Sequence, residues 1–315
     1  MSGRSGASLR HQAAIGIGAA LAGLALYSAR VARDAKRKVQ RDGDMVDVAG
    51  TRLHVVDRGQ GSPILMIHGL AGQLRNFNYG VADELAGTNR VIVVDRPGAG
   101  YSPALTARWA GIAAQAKLIA ALIEALHLDR PLLVGHSLGG AVSLAVASAR
   151  PDLVGGLALI APLSQVPSGV PRILAALSRL PYPARLALAH TVGTPLGQLL
   201  RKRSLGRAFA PEPVAPDFAT RGGEALSRRA VTLAAAIGDL NGIEGEMHSL
   251  AACYPRLRLP TALLFGRDDQ VLDPAVHGIR TAGQIPDARI ELVEGGHMLP
   301  VTRPDLVARF IADAV

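Results

Sequence analysis

The sequence predicts a wound α/β domain with a mostly parallel central sheet, and two observations support this prediction. Short apolar runs that end in Gly, Ser or Asp recur along the 315 residues, as expected of parallel strands buried on both faces. Stretches with helical spacing separate many of these runs, and such alternation indicates a sheet with helices on both faces. The apolar runs are 63–69, 90–98, 131–137, 155–162, 261–269 and 289–296.

The remaining elements follow from turn signals and helical spacing. Residues 45–59 are typical of two short strands around the turn Ala49-Gly50, with apolar alternation in the second strand. The interval 164–258 contains no strand-like run and is rich in Ala, Leu, Arg and Pro, so we interpret it as a helical cap inserted over the sheet. The predicted helices of the α/β part are 74–86, 110–126, 138–149 and 304–314. The predicted division is an N-terminal membrane anchor with a basic linker (1–41), the first part of the core (42–163), the cap (164–258) and the second part of the core (259–315).

The N-terminal segment contains an uncharged apolar run from Ala13 to Ala29. A helix of this length would span about 26 Å, the short end of what crosses a bilayer. A single-pass anchor is the favoured interpretation; a cleaved signal peptide and an Ala-rich soluble helix are the alternatives. The signal peptide is weaker because most basic residues follow the run and no small-x-small site comes after it. The basic excess after the run favours a cytoplasmic catalytic domain.

The net charge of +9 is concentrated in that segment and does not indicate nucleic-acid binding. Residues 1–41 hold eight Lys or Arg and one acid, whereas the other 274 residues hold 26 Lys or Arg and 24 Asp or Glu. The predicted cap has 12 basic and six acidic residues, which would be solvated or lie near anionic lipid headgroups. The single cysteine, Cys253, excludes an internal disulfide and a thiolate metal cluster.

A serine between glycines marks the candidate active site. Gly135-His136-Ser137-Leu138-Gly139 follows an apolar run and precedes an apolar helix, which is the pattern of a nucleophile elbow. The sharp turn needs small neighbours, and it places the Ser137 hydroxyl at a helix N-terminus, where a developing anion is stabilised.

The base and the acid are expected downstream of Ser137. His297 follows the last strand-like run on a Gly-rich loop, at the end of the sheet where such sites lie. Asp269 follows the preceding strand and would orient the imidazole; Asp268 and Asp273 are interpreted as turn or cap residues. His136 is a poor base because neighbouring side chains on an extended segment point apart. The remaining histidines, His11, His54, His127, His190, His248 and His277, are expected mostly at the surface, in the cap or in the tail.

These motifs resemble the α/β-hydrolase fold family, in its capped serine hydrolase and esterase group. The resemblance covers residues 45–315, is weakest through the cap, and depends on His68-Gly69, the run from Asp95 to Ser102, the elbow, and the Gly266–Asp269 and Gly296-His297 pairs. It implies an oxyanion hole formed by the N–H groups of Leu70 and Leu138. It also implies structural roles for His68, Asp95 and Arg96. The sequence departs from the usual pattern at Thr302-Arg303-Pro304, where relatives often carry an acid.

The predicted function is hydrolysis of a carboxylic ester, with an apolar substrate group, through a Ser137-His297-Asp269 triad and an acyl-enzyme. No cofactor or metal is implied. A C–C bond hydrolase, an amidase, a perhydrolase or an acyltransferase could share the triad, whereas a dehalogenase or epoxide hydrolase would need an aspartate in place of Ser137. A membrane-tethered binding protein on a hydrolase scaffold is the non-enzymatic alternative. Activity should fall below pH about 6.5, the ordinary pKa of a histidine base.

Overall fold

The computed structural model describes residues 3–104 and 111–314, and their side chains from residue 11 onward. An eight-stranded sheet has the order β1-β2-β4-β3-β5-β6-β7-β8. The β1–β2 and β2–β4 pairs are antiparallel and the others are parallel. The strands are β1 Asp44–Val48, β2 Thr51–Arg58, β3 Pro63–Ile67, β4 Arg90–Val94, β5 Leu132–His136, β6 Gly156–Ile160, β7 Thr261–Gly266 and β8 Arg289–Val293. The predicted α/β architecture, including every predicted strand, is confirmed.

Helices cover both faces of the sheet. One buried apolar cluster joins one face of the sheet to the helices Ile112–Ala125 and Leu138–Ala149. A second cluster joins the other face to the helices Val81–Leu85 and Pro304–Ala312. The helices of the described residues are α1 Gly3–Lys38, α2 Val81–Leu85, α3 Ile112–Ala125, α4 Leu138–Ala149, α5 Arg172–Ser178, α6 Tyr182–Leu188, α7 Thr194–Phe209, α8 Glu224–Ser227, α9 Ala230–Gly238, α10 Ile243–Ala251, α11 Arg280–Ala282, α12 Leu299–Thr302 and α13 Pro304–Ala312.

The predicted single helix over 74–86 is wrong. A 3₁₀ turn over Leu74–Asn76 precedes a separate α2, because Asp95 accepts a hydrogen bond from the Leu74 amide (2.8 Å) and Gly80 interrupts the helix between them. The predicted helix over 110–126 starts at Ile112 in the structure, and Ala110 lies outside the described residues. The helix over 138–149 has the predicted bounds, and the C-terminal helix ends two residues early, at Ala312.

Residues 164–258 contain helices α5 to α10 and no strand, so they differ in structure from the sheet domain on either side. The domain boundaries themselves stay a prediction. Helix α1 is long and apolar enough over His11–Lys38 to cross a membrane. Its C-terminal part packs against α7, α8 and the residues Ala189–Gly193 that precede α7.

Candidate active site

Ser137 occupies the turn between β5 and α4 with a strained backbone. Its φ of 53° and ψ of −121° lie in a region that L-residues rarely adopt. Two close approaches explain the flanking glycines: a Cβ on Gly135 would lie 2.6 Å from the Gly139 carbonyl oxygen, and one on Gly139 would lie 2.0 Å from the Ile67 carbonyl oxygen. The local sequence therefore permits a turn that places the Ser137 side chain at the N-terminus of α4.

His297 and Asp269 form a hydrogen-bonded pair at the carboxyl ends of β7 and β8. The distance from His297 Nδ1 to Asp269 Oδ2 is 2.7 Å. The other carboxylate oxygen accepts hydrogen bonds from the backbone N–H groups of Val271 (2.8 Å) and Leu272 (3.0 Å). Burial alone would raise the pKa of Asp269, but the His297 hydrogen bond and charge, with these two amides, lower it below its usual value. An ionised Asp269 thus holds Nδ1, which leaves Nε2 of His297 as the nitrogen free for a proton transfer.

Ser137 and His297 line the same cavity, but no hydrogen bond joins their side chains among the described residues. The His136 ring lies 4.9 Å from the His297 ring, centroid to centroid, and donates from Nε2 to the His297 carbonyl oxygen at 2.9 Å. Burial, with the neighbouring His297, lowers the pKa of His136 to about 3, so its ring is neutral. As the sequence predicts, His136 is not placed as a base; it supports the backbone of the loop that carries His297.

Two backbone amides close to Ser137 have no hydrogen-bond acceptor within the described part of the chain. They belong to Leu70, in the loop after β3, and to Leu138, the first residue of α4. Both residues line the cavity with Ser137. The two loops approach so closely that a Cβ on Gly69 would lie 2.9 Å from the Ser137 Cβ. Free N–H groups beside a nucleophile are what an oxyanion hole requires.

The loop that carries Leu70 is held by Arg96, which is buried. The Arg96 guanidinium donates to the carbonyl oxygens of His68 (2.9 Å) and Gly69 (2.8 Å). It also binds Asp239, at the end of α9, at 2.9 Å, and Gln115 at 2.7 Å. His68 Nδ1 donates to the Gly69 oxygen, and burial beside Arg96 lowers the pKa of His68 to about 3. The predicted structural roles of His68 and Arg96 agree with these contacts.

Asp95 organises the loop after β4, and its main partner is His54. His54 Nδ1 lies 2.7 Å from an Asp95 oxygen, and its Nε2 contacts the Asp42 carbonyl oxygen. The carboxylate also accepts from the Tyr101 amide at 2.8 Å. The expected surface position of His54 is therefore wrong: it is 1% exposed. Asp95 lies 41 residues from His54 in the chain, so no local sequence pattern indicated that the two side chains would pair.

His277 is also buried, which contradicts the expected surface position. Its Nδ1 accepts hydrogen bonds from the amides of Ser164 (3.3 Å) and Gln165 (3.2 Å), the first residues of the cap. Burial lowers the pKa of His277 to about 4, and a neutral ring is the form that can accept. His127 and His248 are exposed, and His190 lies in the cap, in agreement with the sequence.

The cavity at Ser137 has a volume of about 490 Å³ and is mainly apolar. Its polar lining includes Glu224, which binds Arg201 (Nε to Oε1, 2.8 Å) and Arg228. The apolar lining comes from both the sheet domain and the cap and includes Leu163, Leu205, Phe209, Phe218, Leu233 and Met298.

Sequence reasoning missed two residues of the cap. Asp239 completes the Arg96 site, and Glu212 accepts a hydrogen bond from the Gly296 amide (3.2 Å), one residue before His297. Their partners lie 143 and 84 residues away, so spacing gave no indication of either contact. Asp268 is exposed and Asp273 caps the following turn through the Ala275 amide, as expected. Within the described residues no group of three or more His, Cys, Asp or Glu side chains is arranged to hold a metal ion, and the absence of a cofactor stays a prediction.

Comparison with known proteins identifies the family, since the alpha/beta hydrolase fold matches residues 62–304. The chain belongs to the α/β-hydrolase fold family. A curated relative from a Pseudomonas species, 2-hydroxy-6-oxononadienedioate/2-hydroxy-6-oxononatrienedioate hydrolase, is 27% identical over 270 residues, which cover 82% of this chain and 92% of the relative. The enol-lactonase of Burkholderia xenovorans LB400 has a similar structure, with a TM-score of 0.71 and 22% identity over 86% of this chain and 99% of its own. A bacterial membrane phospholipase A matches 99% of this α/β-hydrolase and 98% of its own chain, with a TM-score of 0.65 and 23% identity.

Proposed function

We propose that this α/β-hydrolase is a serine hydrolase that cleaves carboxylic esters with an apolar acyl or alcohol group. One observation carries the proposal: a strained serine, two free amides and a histidine oriented by a buried carboxylate all border one apolar cavity. Each of these features serves acyl transfer, in which a hydroxyl attacks a carbonyl carbon and negative charge develops on its oxygen.

In this mechanism the Ser137 hydroxyl attacks the ester carbonyl while His297 Nε2 accepts its proton. The Leu70 and Leu138 amides bind the resulting oxyanion, and each such donor contributes about 3 kcal/mol. His297 returns the proton to the leaving alcohol, which leaves an acyl group on Ser137. Water then attacks the acyl-enzyme with His297 again as base and Asp269 stabilising the imidazolium. The Ser137–His297 hydrogen bond forms when substrate binds, because such contacts are often long in the free enzyme.

The curated relative supports a second candidate, hydrolysis of a C–C bond next to a ketone, on the same three residues. In this chain Arg201 and Arg228 are the cationic side chains in the cavity, and both are already paired with Glu224. The single Glu224 carboxylate offsets one of these two charges, so a net charge of +1 remains in this part of the cavity. The apolar remainder of the cavity favours the ester.

We also propose that α1 anchors the enzyme in a membrane by a single pass, with the catalytic domain on the cytoplasmic side. The helix is long and apolar enough, and its basic residues follow the apolar run.

A fluorophosphonate probe tests the nucleophile. The full-length protein should be labelled and Ser137→Ala should not be, whereas the matched variant Ser204→Ala, which changes another serine of the cavity wall, should be labelled normally. Labelling of Ser137→Ala would refute the assignment, and an unlabelled wild type would favour a binding protein on a hydrolase scaffold. Kinetics on an ester series of increasing chain length, beside a vinylogous diketone, would then separate the two candidate reactions.

A further inference from the structure

The N-terminal half of helix α7 exposes its leucines and turns small and polar residues toward the cavity. The cavity side carries Thr194, Gly197, Gln198 and Arg201 in this half, whereas Leu205 and Phe209 line the cavity further along. Exposed apolar residues on the opposite side, with Val192 in the segment before α7, form what we call the outer stripe: Val192, Leu196, Leu199 and Leu200, with exposures of 53%, 49%, 79% and 46%. In water a helix buries its leucines and exposes its arginine and glutamine, so the outer stripe needs an apolar environment of its own.

The cap has further exposed apolar side chains. Leu188, at the end of α6, is 41% exposed and Ile173, on α5, is 65% exposed. Exposed apolar side chains clustered on a folded domain, as in the outer stripe, mark contact with a membrane or another protein.

The packing of α1 indicates which of the two it is. Within the apolar run of α1, Ser28 is fully buried and Leu24 and Ala25 are half-buried, whereas Ile15, Ile17 and Leu26 are exposed. Further along, Ala35 and Val39 pack against α8. Besides α8, helix α1 contacts Ala189–Gly193, where the outer stripe begins, and α7, so these cap segments lie beside the helix suited to cross a membrane.

This contact fixes the depth of the cap. If residues 13–29 of α1 lie in the hydrocarbon core, the part of the cap packed on Leu24 to Ser28 lies beside the last six residues of that run. Six residues of helix span about 9 Å, which falls within the 5–10 Å by which amphipathic helices enter a bilayer.

The distribution of charge fits the same placement. Gln198 of α7 shares a cleft with Tyr27, Arg30 and Val31 of α1, at the point where the apolar run ends. Beyond this level both helices become basic and exposed, through Arg33, Lys36, Arg37 and Lys38 on α1 and Lys202, Arg203 and Arg207 on α7. These basic side chains would lie among anionic headgroups, and the outer stripe would lie next to them in the acyl region of the bilayer.

We propose that the outer stripe is embedded in the lipid bilayer, so that α7 is the wall between the membrane and the catalytic cavity. The substrate is then a long-chain lipid ester that enters the cavity from the bilayer beside α7, without crossing water. This inference rests on the proposed hydrolase function, and it adds the substrate class and the route of entry. The small residues Gly193 and Gly197, both in the cavity wall, provide the least bulky part of that route.

Spin labels on single cysteines test the placement. The background is full-length Cys253→Ala, which lacks the only cysteine, reconstituted in vesicles of phosphatidylcholine and phosphatidylglycerol. Leu199→Cys probes the outer stripe, Leu21→Cys is the lipid reference in α1, and Asp152→Cys, before β6 and away from the cap, is the water reference. We expect the label at 199 to collide with oxygen in preference to a water-soluble nickel chelate, as at 21 and unlike at 152. Preference for nickel at 199 would overturn the proposal, and so would exclusion of both reagents, which would place a second protein copy on the stripe.

Kinetics test the route. Leu196→Ser/Leu199→Ser/Leu200→Ser should lower the rate on a long-chain ester dissolved in the vesicles by more than about tenfold, because each lost side chain weakens membrane insertion. The rate on a water-soluble short-chain ester and labelling by fluorophosphonate should stay within about twofold, since none of these residues borders Ser137. Equal losses on both substrates would overturn the entry route. Absence of fluorophosphonate labelling in the parent protein would instead refute the hydrolase function, so the two failures are distinguishable.

Discussion

The buried pair of Arg96 and Asp239 connects the cap to the loop that carries the proposed oxyanion donor Leu70, and substitution of Arg96 tests this connection. Arg96→Met keeps most of the apolar stem and removes four described hydrogen bonds of the guanidinium: to His68, Gly69, Gln115 and Asp239. The arginine side chain is 2% exposed and the aspartate 9%, so water cannot replace the lost contacts without a structural change.

The expected loss of stability is large because a buried carboxylate stays behind. Removal of one partner from a buried ion pair costs about 3–5 kcal/mol. Gln115 still donates to Asp239 at 3.0 Å, which favours the lower end, whereas the His68 carbonyl loses its guanidinium donor, which adds about 1–3 kcal/mol. We expect the free energy of unfolding to fall by about 4 kcal/mol.

The catalytic effect follows from the position of the Leu70 amide, one residue after Gly69. A displaced oxyanion donor costs about 10²-fold in kcat. Arg96→Met should therefore lower kcat on a short-chain ester by this factor. KM should change little, because the contacts with the apolar cavity that bind the substrate and the transition state equally are unaffected.

Equilibrium unfolding in urea and steady-state kinetics of purified full-length protein measure both effects. Arg90→Met is the matched control: Arg90 binds Asp57 with bidentate geometry (Nη2 to Oδ2, 2.7 Å), but both side chains are about one-third exposed. Removal of such a surface pair should cost less than about 1 kcal/mol and leave kcat unchanged.

A double variant separates stability from positioning. Arg96→Met/Asp239→Leu removes the orphaned charge and should regain about 1–3 kcal/mol over the single variant. Its kcat should stay low, because the hydrogen bonds to the loop are still absent. Recovery of kcat in the double variant, or a single variant with wild-type kcat, would refute the assignment of Arg96 to the oxyanion loop.

Two further predictions concern the buried acid–histidine pairs, Asp269 with His297 and Asp95 with His54. Asp269→Asn should lower kcat by about 10⁴-fold because the amide would favour the wrong tautomer of His297, and a wild-type kcat at neutral pH would contradict the proposed triad. His54 should make stability depend on pH. Burial alone would lower the pKa of His54, but the hydrogen bond and charge of Asp95 and the Asp42 carbonyl raise it above 6.5. The stability that protonated His54 contributes is therefore complete below pH about 6.5 and is lost as the pH rises through the raised pKa. Urea unfolding should accordingly show a difference between wild type and His54→Gln that is larger at pH about 6 than at alkaline pH, and a difference independent of pH would exclude this linkage.

The sequence by itself determined the strands, the elbow and the order of the candidate site residues. These features depend on local patterns: continuous apolar runs for buried strands, small residues around Ser137, and a glycine-rich loop before His297. Residues at the carboxyl ends of parallel strands must meet at one edge of the sheet, so chain order was enough to select Asp269 and His297 as partners.

Only the tertiary structure decided which polar residues are buried and what the cap helices face. His54, His277 and Arg96 each bind one partner that lies 41 to 143 residues away in the chain, and no local spacing encodes such contacts. The leucines of α7 show the same limit, since a helical pattern reveals an apolar face but not its direction. In this fold the N-terminal half of α7 turns small and polar residues to the cavity, which leaves its leucines outward, beside the helix suited to cross a membrane.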